Sequence, residues 1–509
     1  MATLAPLSGP RLLWVTVALS MANFMEVLDV TIANVSIPSI SGDLGVSSNQ
    51  GTWVITSYAV ANAISVLSTG WLSGRFGQVK VFTTAIILFT VASMMCGLSF
   101  TFPMLLFFRI MQGGVSGLMV PLSQALLLNS YPPEKRGIGM AIWGMTVTVA
   151  PVLGPIVGGL ITDNIGWEWI FFINVPFGLG AAFLAWTTLH DRETPIRRTP
   201  VDYVGFLLIV IWVGCLQIML DKGNELDWFD SPIIVSLACT SLTCFVLFLI
   251  WELTDANPIV DLRLFRIRNF TMASVAMAVG YTIFFATIIV LPLWLQTSLG
   301  YNATWAGLVV APIGLLAVLL APIIGKNAAK LDLRWLATIA FVVFSLLSFW
   351  RATYPADASY WVLAMPQILQ GIAVATFFTP LISLAMGSLE PSKIASGSGL
   401  MNFLRMTAAS FGASLAITVW DHRNAFNGNV LVERLSPYQP PYQDYLTHLA
   451  AAGIHGVQAT SAVNLELTRQ ISVRSVDQIF WVCGWLFLMV IALVWMIRPV
   501  KGAKVQAGH

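Results

Sequence analysis

The sequence is poor in charged residues: Asp, Glu, Lys and Arg make up only 10% of its 509 residues, whereas 57% are hydrophobic. A soluble domain carries roughly 25% charged residues, so this composition excludes an ordinary soluble protein. The net charge of +2 and the lack of a long basic run give no indication of nucleic-acid binding. The chain is therefore predicted to be an integral membrane protein that contacts the lipid bilayer.

Residues with metal-binding or catalytic spacing are also lacking. The five cysteines lie in apolar stretches without the spacing of metal ligands or of a disulfide framework. All five histidines lie in loops or at the tail, and neither an HExxH nor a GxxxxGK[ST] string occurs. We therefore expect no metal site and no bound cofactor.

The hydrophobic residues are grouped into fourteen segments that can each cross a bilayer, for which ~20 largely apolar residues are needed. The expected spans are roughly 12–36, 52–73, 81–100, 103–128, 138–161, 168–189, 202–220, 232–252, 271–296, 303–324, 335–351, 360–386, 397–420 and 476–498. The longest gap, 421–475, is mostly polar and is expected to be a loop. The predicted fold class is an all-α integral membrane protein with 14 transmembrane helices.

The basic residues predict the orientation of these spans. Eighteen of the 26 lysines and arginines fall in short segments on the side of the N-terminus, and only Lys222 and Arg351 fall in short loops on the other side. Because short cytoplasmic loops are rich in Lys and Arg, both termini are predicted to be cytoplasmic. The long segment 421–475 is then outside.

An internal repeat predicts how the spans are grouped. Residues 109–113 (RIMQG) align with residues 367–371 (QILQG), and Gly154 aligns with Gly412, both at an offset of 258. Such same-direction repeats indicate two halves related by an axis along the membrane normal. The expected domains are a six-helix half at 1–190, two inserted helices at 191–257, and a second six-helix half at 258–509 that includes the loop 421–475.

The first span contains two acidic residues in apolar surroundings. On a helix, Asn23, Glu26, Asp29 and Asn34 fall within a stripe about 140° wide. A charged side chain at bilayer depth costs at least ~2.5–3.5 kcal/mol, so Glu26 and Asp29 should face the protein interior or a wet cavity. We interpret them as the proton site of a transporter. The alternative is a pair of acids permanently bound to the basic residues inside spans, Arg109 and Arg405.

The two basic residues inside spans each have two interpretations. Arg109 is either a charge partner of the acidic site or a residue that extends to the outer interface from the beginning of its span. Arg405 has no charged counterpart in the repeat, because the offset aligns it with Val147. Its role is either proton or substrate coupling, or structural pairing.

Several segments resemble the motifs of fourteen-span drug:proton antiporters of the major facilitator superfamily, in family order over residues 28–178. They are LDVTIANVSIP at 28–38, GWLSGRFGQVK at 70–80, RIMQGGVSG at 109–117, APVLGPIVGG at 150–159 and WEWIFFINVPFG at 167–178. Gly74, Ala150 and Glu168 differ from the usual Asp, Gly and Arg. The segments 216–229 and 245–265 resemble the inner-membrane pump subunits of tripartite efflux systems.

This resemblance implies proton-coupled export of hydrophobic toxic compounds across a bacterial inner membrane by alternating access, with protons as the coupling ion and no other cofactor. It also implies two partners, a periplasmic membrane-fusion adaptor and an outer-membrane channel. Asp29 becomes the first candidate for the proton carrier because it lies in the family motif. The alternatives are an intramembrane enzyme that acts on lipids and a non-transporting membrane sensor. Lipid turnover by the purified chain without any gradient would favour the enzyme.

The motif in the fifth span has a mechanical interpretation. Its residues Gly154, Pro155, Gly158 and Gly159 are small or lack a backbone N–H, which allows close helix packing and a kink. An antiporter needs a tight seal between its halves that can still rock, and we expect this segment to supply it. Ordinary close helix packing is the alternative.

The resemblance further implies that spans one, four, nine and twelve line the substrate cavity. An apolar pocket with a few polar groups suits hydrophobic, drug-sized ligands. The candidate contacts on these spans are Asn34, Gln112, Gln124, Tyr281, Phe284, Phe285, Gln370, Phe377 and Phe378. The alternative for the aromatic residues is helix packing or exposure to lipid.

Overall fold

A computed structural model describes residues 6–196, 200–327, 331–434 and 440–498. Within these ranges the regular structure is helical and no strand occurs. All fourteen segments that were expected to cross the membrane are helical, so the predicted all-α class is confirmed.

The first half of the chain begins with one long helix, α1, which carries the two acidic residues. Helix α6 (Phe102–Ser116) is capped at its N-terminus by Thr101, whose hydroxyl accepts a hydrogen bond from the Met104 N–H at 3.4 Å. The helices of this half are α1 (Gly9–Asp43), α2 (Ser48–Gly51), α3 (Trp53–Leu67), α4 (Thr69–Phe76), α5 (Gln78–Gly97), α6 (Phe102–Ser116), α7 (Met119–Ser130), α8 (Arg136–Asn164), α9 (Trp169–Phe172) and α10 (Asn174–Leu189).

The helices α11 (Tyr203–Lys222) and α12 (Pro232–Thr254) follow; α1–α10 are called the first half below, and α13–α20 the second half. The Asp202 carboxylate caps α11 by accepting a hydrogen bond from the Gly205 N–H at 2.8 Å. The second half contains α13 (Arg268–Ser298), α14 (Ala303–Val310), α15 (Ile313–Asn327), α16 (Leu333–Arg351), α17 (Tyr360–Met386), α18 (Ile394–Arg434), α19 (Pro440–Ala451) and α20 (Val457–Trp495).

The number of membrane crossings agrees closely with the expected fourteen. Among the described residues, twelve helices are long and apolar enough to cross a membrane. A thirteenth is the bent pair Pro133–Pro151 and Ile156–Asn164. The remaining expected span, 52–73, is divided at Ser68 into α3 and α4, and its longer part has only 15 residues.

The bend within α8 is the kink that its prolines were expected to permit. Its two arms meet at 45°, and the break lies between Pro151 and Ile156. Proline removes a backbone hydrogen bond and its ring clashes with the preceding turn, which explains a bend at this place. The side chain of Pro155 lies outside the described part of the molecule.

The expectation of a loop at 421–475 is wrong. Helix α18 continues to Arg434, α19 lies within the segment, and α20 begins at Val457, well before the apolar span at 476. Hydropathy identifies only the part of a helix that lies in lipid, so helical extensions beyond the bilayer escape it. Residues 435–439 of this segment lie outside the described residues.

The two halves meet closely at the end of the molecule that carries Lys135 and Lys393. Gln124 on α7 accepts hydrogen bonds from Ser398 and from Asn402 at 2.9 Å, both on α18. A Cβ at Gly399 would lie 2.7 Å from the Val66 carbonyl oxygen of α3. At this end, therefore, the interface between the halves is closed.

Helix α11 contacts both halves. The Thr56 hydroxyl on α3 donates a hydrogen bond to Asp221 at 2.6 Å. On the other side, the Ser410 hydroxyl on α18 donates to Gln217 at 2.9 Å. The helix thus bridges the two halves along one side of the molecule.

Candidate proton and substrate site

Asp29 lies at the centre of a buried polar cluster between α1, α6 and α10. Its Oδ2 forms an ion pair with Arg109 at 2.6 Å. Its Oδ1 accepts hydrogen bonds from the Gln112 amide at 3.0 Å and from the Asn174 amide at 2.7 Å. Asp29 is 3% exposed and Arg109 is fully buried. The ionised carboxylate of Asp29 is therefore balanced in charge and well supplied with donors.

Arg109 is also held by groups other than Asp29. Its Nε donates to the Val54 carbonyl oxygen at 3.1 Å, and its guanidinium lies 4.3 Å from the ring centroid of Tyr58. A second aromatic ring, that of Phe171, lies at 5.6 Å. The alternative in which Arg109 extends to the membrane interface is thereby excluded, and its interpretation as a charge partner of the acidic site holds for this structure.

Two glycines of the RIMQGGVSG segment explain why this cluster can form. A Cβ at Gly113 would lie 2.3 Å from the Tyr58 carbonyl oxygen, and one at Gly117 would lie 2.4 Å from the Asn62 carbonyl oxygen. Helices α3 and α6 thus approach closely only because these positions lack a side chain. The approach brings Tyr58 to Arg109 and Asn62 to Glu26.

Glu26 lies one turn before Asp29 but has a different environment. Its Oε1 accepts one hydrogen bond, from the Asn62 amide at 3.0 Å, and Asn62 also donates to Ser116 at 2.6 Å. Its Oε2 is buried without a hydrogen-bond partner, and Glu26 is 7% exposed. Within the described residues, no ion pair joins Glu26 to a basic residue.

Arg405 faces Glu26 from the opposite half of the molecule. Its charge acts on the Glu26 carboxylate at longer range than an ion pair, and its guanidinium lies 5.6 Å from the ring centroid of Tyr281. In this structure, therefore, Asp29 is paired with Arg109, whereas Glu26 is not paired with Arg405. Glu26 and Arg405 lie on different halves and form no ion pair in the described part of the chain.

The glycines of the fifth-span motif make different contacts from those expected. A Cβ at Gly154 would lie 2.1 Å from the Thr31 hydroxyl, and one at Gly158 would lie 3.2 Å from Ile32. Both contacts are with α1 of the same half, whereas Gly159 has no such neighbour. A close contact between the halves lies elsewhere on α8, where a Cβ at Gly325 of α15 would lie 2.6 Å from the Gly137 carbonyl oxygen. The motif instead packs α8 against α1, next to Asp29.

The aromatic substrate candidates form one cluster beside Arg405. The ring centroid of Tyr281 lies 5.8 Å from Phe284, 5.6 Å from Phe285 and 5.8 Å from Phe378. Phe377 is fully buried and packs behind the cluster against Phe341 and Phe344. Phe284 and Phe378 are also buried, at 6% exposure each, whereas Tyr281 and Phe285 are partly exposed.

The polar substrate candidates are mostly engaged with protein groups. Gln112 bonds to Asp29, Gln124 bonds across the interface between the halves, and Gln370 bonds to Arg351. All three are buried, whereas Asn34 is exposed near the end of α1. The structure therefore assigns Gln112 to the acidic cluster, and its amide is not free for a ligand in this conformation.

Arg351 was counted as a loop residue, and this assignment is wrong. It is the last residue of α16, is 2% exposed, and donates hydrogen bonds to Gln367 at 3.0 Å and to Gln370. The repeat aligns these two glutamines with Arg109 and Gln112. The second half thus also holds a buried guanidinium near the repeated motif, but from a neighbouring helix and, within the described residues, without a carboxylate partner.

The sequence did not single out Tyr58, Asn62 or Asn174 as site residues. Uncharged polar residues cost little in a membrane helix and are common there, so their presence alone carries no signal. A weak signal existed for Asn174, which lies within the WEWIFFINVPFG segment. Only the packing of α3 and α10 against α1 reveals their contacts with the acids.

Comparison with known proteins agrees with this architecture. Residues 19–413 match the model of the Major Facilitator Superfamily. The human organic anion transporter MFSD10 (TETRAN) superposes with a TM-score of 0.61, over 96% of this chain and 100% of that one, at 13% identity. The proton:xylose symporter XylE superposes with a TM-score of 0.59 at 14% identity, over 96% and 97% of the two chains. These two likenesses show the fold.

Three bacterial proteins are similar in sequence to nearly the whole of this chain. The multidrug export protein EmrB of Haemophilus influenzae is 46% identical over 98% of both chains. EmrB of Escherichia coli K12 is 47% identical over 98% of both, and the fatty acid resistance protein FarB of Neisseria gonorrhoeae is 45% identical over 97% of both. The prediction of a transporter rather than an enzyme is thereby confirmed. The chain belongs to the Major Facilitator Superfamily of membrane transporters, and its similarity extends to the EmrB-type drug exporters within it.

Proposed function

We propose that this protein exports hydrophobic toxic compounds in exchange for protons, by alternating access across a bacterial inner membrane. The observation that carries the proposal is the unequal environment of the two acids on α1. Asp29 has an ion pair and two amide donors, whereas Glu26 has one hydrogen bond and one buried oxygen without a partner. A carboxylate that lacks donors is suited to carry a proton in one state of the cycle.

This arrangement favours Glu26 as the proton carrier, whereas the family motif gave Asp29 first place. Protonation of Asp29 would remove its attraction to the fully buried Arg109 and leave that cation unpaired. Protonation of Glu26 requires no ion pair to break. Asp29 and Arg109 then act as a fixed pair that shapes the site.

Arg405 would couple the proton to the movement of the halves. It belongs to the second half and faces both Glu26 and the aromatic cluster around Tyr281. When Glu26 is ionised, its attraction to Arg405 favours closure of the halves around the site. When Glu26 is protonated this attraction is lost, so the closed arrangement is favoured less.

The energy of one proton is sufficient for useful export. A charge that moves through 100 mV of membrane potential supplies ~2.3 kcal/mol. Since ~1.4 kcal/mol corresponds to a factor of ten, one proton could support a substrate gradient of roughly fifty-fold. Larger gradients would need a pH difference or a second proton.

The substrates that we propose are hydrophobic drugs and fatty acids. The names of the relatives refer to multidrug export and to fatty acid resistance. The cluster of Tyr281, Phe284, Phe285 and Phe378 offers such compounds an apolar surface beside the Arg405 guanidinium. Fatty acids would place their carboxylate near that cation.

The orientation and the partners are part of the same proposal. The distribution of Lys and Arg supports cytoplasmic termini. Helix α18 has 41 residues and α20 has 39, which correspond to lengths of about 60 Å, twice the thickness of the hydrocarbon core. Their extensions, with Val457 and Leu465 exposed, offer a surface to a periplasmic membrane-fusion adaptor that leads to an outer-membrane channel.

The test uses inside-out vesicles that hold an inside-acid pH gradient. A panel of hydrophobic drugs and fatty acids is added while proton leakage is recorded for the wild-type chain, Glu26→Gln and Asp29→Asn. We expect compound-dependent leakage from the wild type and none from Glu26→Gln. The exposed Glu134→Gln serves as the matched control and should behave as wild type.

Two results would contradict parts of this proposal. Compound-dependent leakage that survives Glu26→Gln and disappears with Asp29→Asn would return the carrier role to Asp29. Uptake of the compounds by the vesicles without any proton movement would refute proton coupling.

The proposed partners are tested separately. The double variant Val457→Asp with Leu465→Asp should lower drug resistance of cells without changing transport in vesicles.

A further inference from the structure

A lateral cleft of about 750 Å³ lies between α13, α18 and α20, away from the acidic site on α1. Its wall is mainly apolar and includes Ile283, Leu415, Val482 and Leu486. This volume falls in the range that accommodates drug-sized ligands. None of the substrate candidates from the sequence lines it.

The cleft opens towards the lipid. Trp481 and Leu415, which line it, are 55% and 49% exposed. In a bilayer these side chains contact acyl chains rather than water. An amphiphile dissolved in the adjoining leaflet could therefore enter the cleft without first crossing an aqueous phase.

One acidic residue, Asp477, lies in this apolar wall. Its Oδ1 is buried without a hydrogen-bond partner, and it forms no ion pair within the described residues. Asp477 precedes Trp495 on α20 by eighteen positions, or about 27 Å along the helix. Trp495 packs against Trp335 and Arg334 at one end of the bundle. Asp477 therefore lies near the opposite boundary of a hydrocarbon core about 30 Å thick.

Asp477 has no cation in direct contact within the described residues, although one basic side chain lines the same cleft. The only other ionisable side chains that line the cleft are Arg423 and Cys483, and within the described residues Arg423 is not ion-paired with Asp477. Arg423 is exposed and lies over the ring of Phe426 at 6.0 Å. A buried carboxylate is costly unless something pairs with it.

We propose that the cleft binds amphiphiles with an apolar body and a primary ammonium group, which pairs with the Asp477 carboxylate. The ammonium would supply hydrogen-bond donors and a positive charge in direct contact with the carboxylate, while the apolar body fills the space between α13, α18 and α20. As a loading or release site for export this assignment rests on the proposed function, whereas the binding itself does not.

Binding can be tested on the full-length protein in phosphatidylcholine nanodiscs, without any gradient. The probe is dodecylamine with a photoreactive diazirine in its chain, and the comparison probe is the corresponding alcohol. Mass spectrometry locates the crosslinks. We expect the amine to label the cleft-lining segments of α18 and α20. Asp477→Asn should lower this labelling about tenfold, equivalent to ~1.4 kcal/mol, and leave labelling by the alcohol unchanged.

Matched variants keep the result interpretable. Asp477→Glu, which retains the charge, should preserve labelling, and Asp444→Asn, an exposed carboxylate on α19, should have no effect. Ala286→Phe, which fills the cleft, should lower labelling by both probes. The proposal is overturned if amine and alcohol label α20 equally, or if Asp477→Asn leaves amine labelling intact. The second result is expected if Asp477 pairs with Arg423 rather than with the ammonium group.

A final comparison identifies the source of the amine. If phosphatidylethanolamine nanodiscs suppress labelling by dodecylamine, the cleft holds an aminophospholipid; if labelling is unchanged, it prefers the added amine. Either result supports an ammonium site. The cleft of Glu26→Gln should be labelled as strongly as that of the wild type. If the transport assay fails while labelling of the cleft is intact, proton-coupled export is refuted and the cleft proposal is not.

Discussion

Glu26 and Asp29 lie one helical turn apart on α1, yet only Asp29 forms an ion pair, with Arg109 at 2.6 Å. Glu26 faces Asn62 on one side and, at longer range, Arg405 of the other half. Protonation would therefore break an ion pair at Asp29 but not at Glu26. The contribution of the ion pair to stability and the coupling through Arg405 both depend on this difference.

The first prediction concerns the buried ion pair. Arg109→Gln leaves Asp29 buried without its cation and should lower the free energy of unfolding by ~3–5 kcal/mol. Asp29→Asn combined with Arg109→Gln should be less destabilised than the sum of the two single variants, because no unpaired charge remains. Thermal unfolding in detergent measures both, with the exposed Arg423→Gln as control. Additive effects would show that the pair contributes no coupling energy.

The second prediction concerns the fifth-span motif. Gly154→Ala would place a Cβ 2.1 Å from the Thr31 hydroxyl and should push α8 away from α1, whereas Gly159→Ala meets nothing within 4 Å. We expect Gly154→Ala to lower transport at least about tenfold, a loss that ~1.4 kcal/mol of strain is sufficient to cause. Gly159→Ala should retain wild-type transport in the same vesicles. Equal effects of the two variants would contradict the packing of the motif against α1.

The third prediction concerns the closed end of the molecule. Gln124→Leu removes the acceptor for Ser398 and Asn402, leaves buried polar groups unpaired, and should weaken closure by ~1–3 kcal/mol. Spin labels at Lys135 and Lys393, one on each half, should then report a larger fraction of long distances. Gln296→Leu is the control, because the Gln296 amide donates to the Pro292 carbonyl oxygen of its own helix. An unchanged distance distribution for Gln124→Leu would show that these bonds do not hold the halves together.

The fourth prediction concerns the transfer of the proton signal between halves. Arg405→Gln should retain binding of a hydrophobic drug and lose drug-dependent proton movement, because no cation then responds to the charge of Glu26. Arg405→Lys retains a positive charge and should preserve part of the coupling. Drug binding at different pH values provides a second measurement: the binding of Arg405→Gln should depend less on pH than that of the wild type. A fully coupled Arg405→Gln would assign this residue a structural role.

Much of the fold could be predicted because each helix that spans the lipid needs ~20 largely apolar residues. Apolar segments of sufficient length identified the twelve helices that are long and apolar enough to cross a bilayer. The helical extensions at 421–434 and 457–475 were missed because a helix in water does not need an apolar composition. Arg351 was misplaced for a related reason: hydropathy cannot distinguish a charged residue in a loop from one buried at the end of a helix.

The sequence by itself determined the all-helical membrane fold, the acidic pair Glu26 and Asp29 in the first span and the importance of Arg109, since charge in an apolar segment is costly wherever it lies. Only the tertiary structure decided which acid is paired, because Asn62, Gln112, Asn174 and Arg405 come from four different helices. It likewise decided that Gly154 and Gly158 pack against α1. Hydrogen bonds and ion pairs act over a few ångströms, and the sequence does not specify which helices come that close.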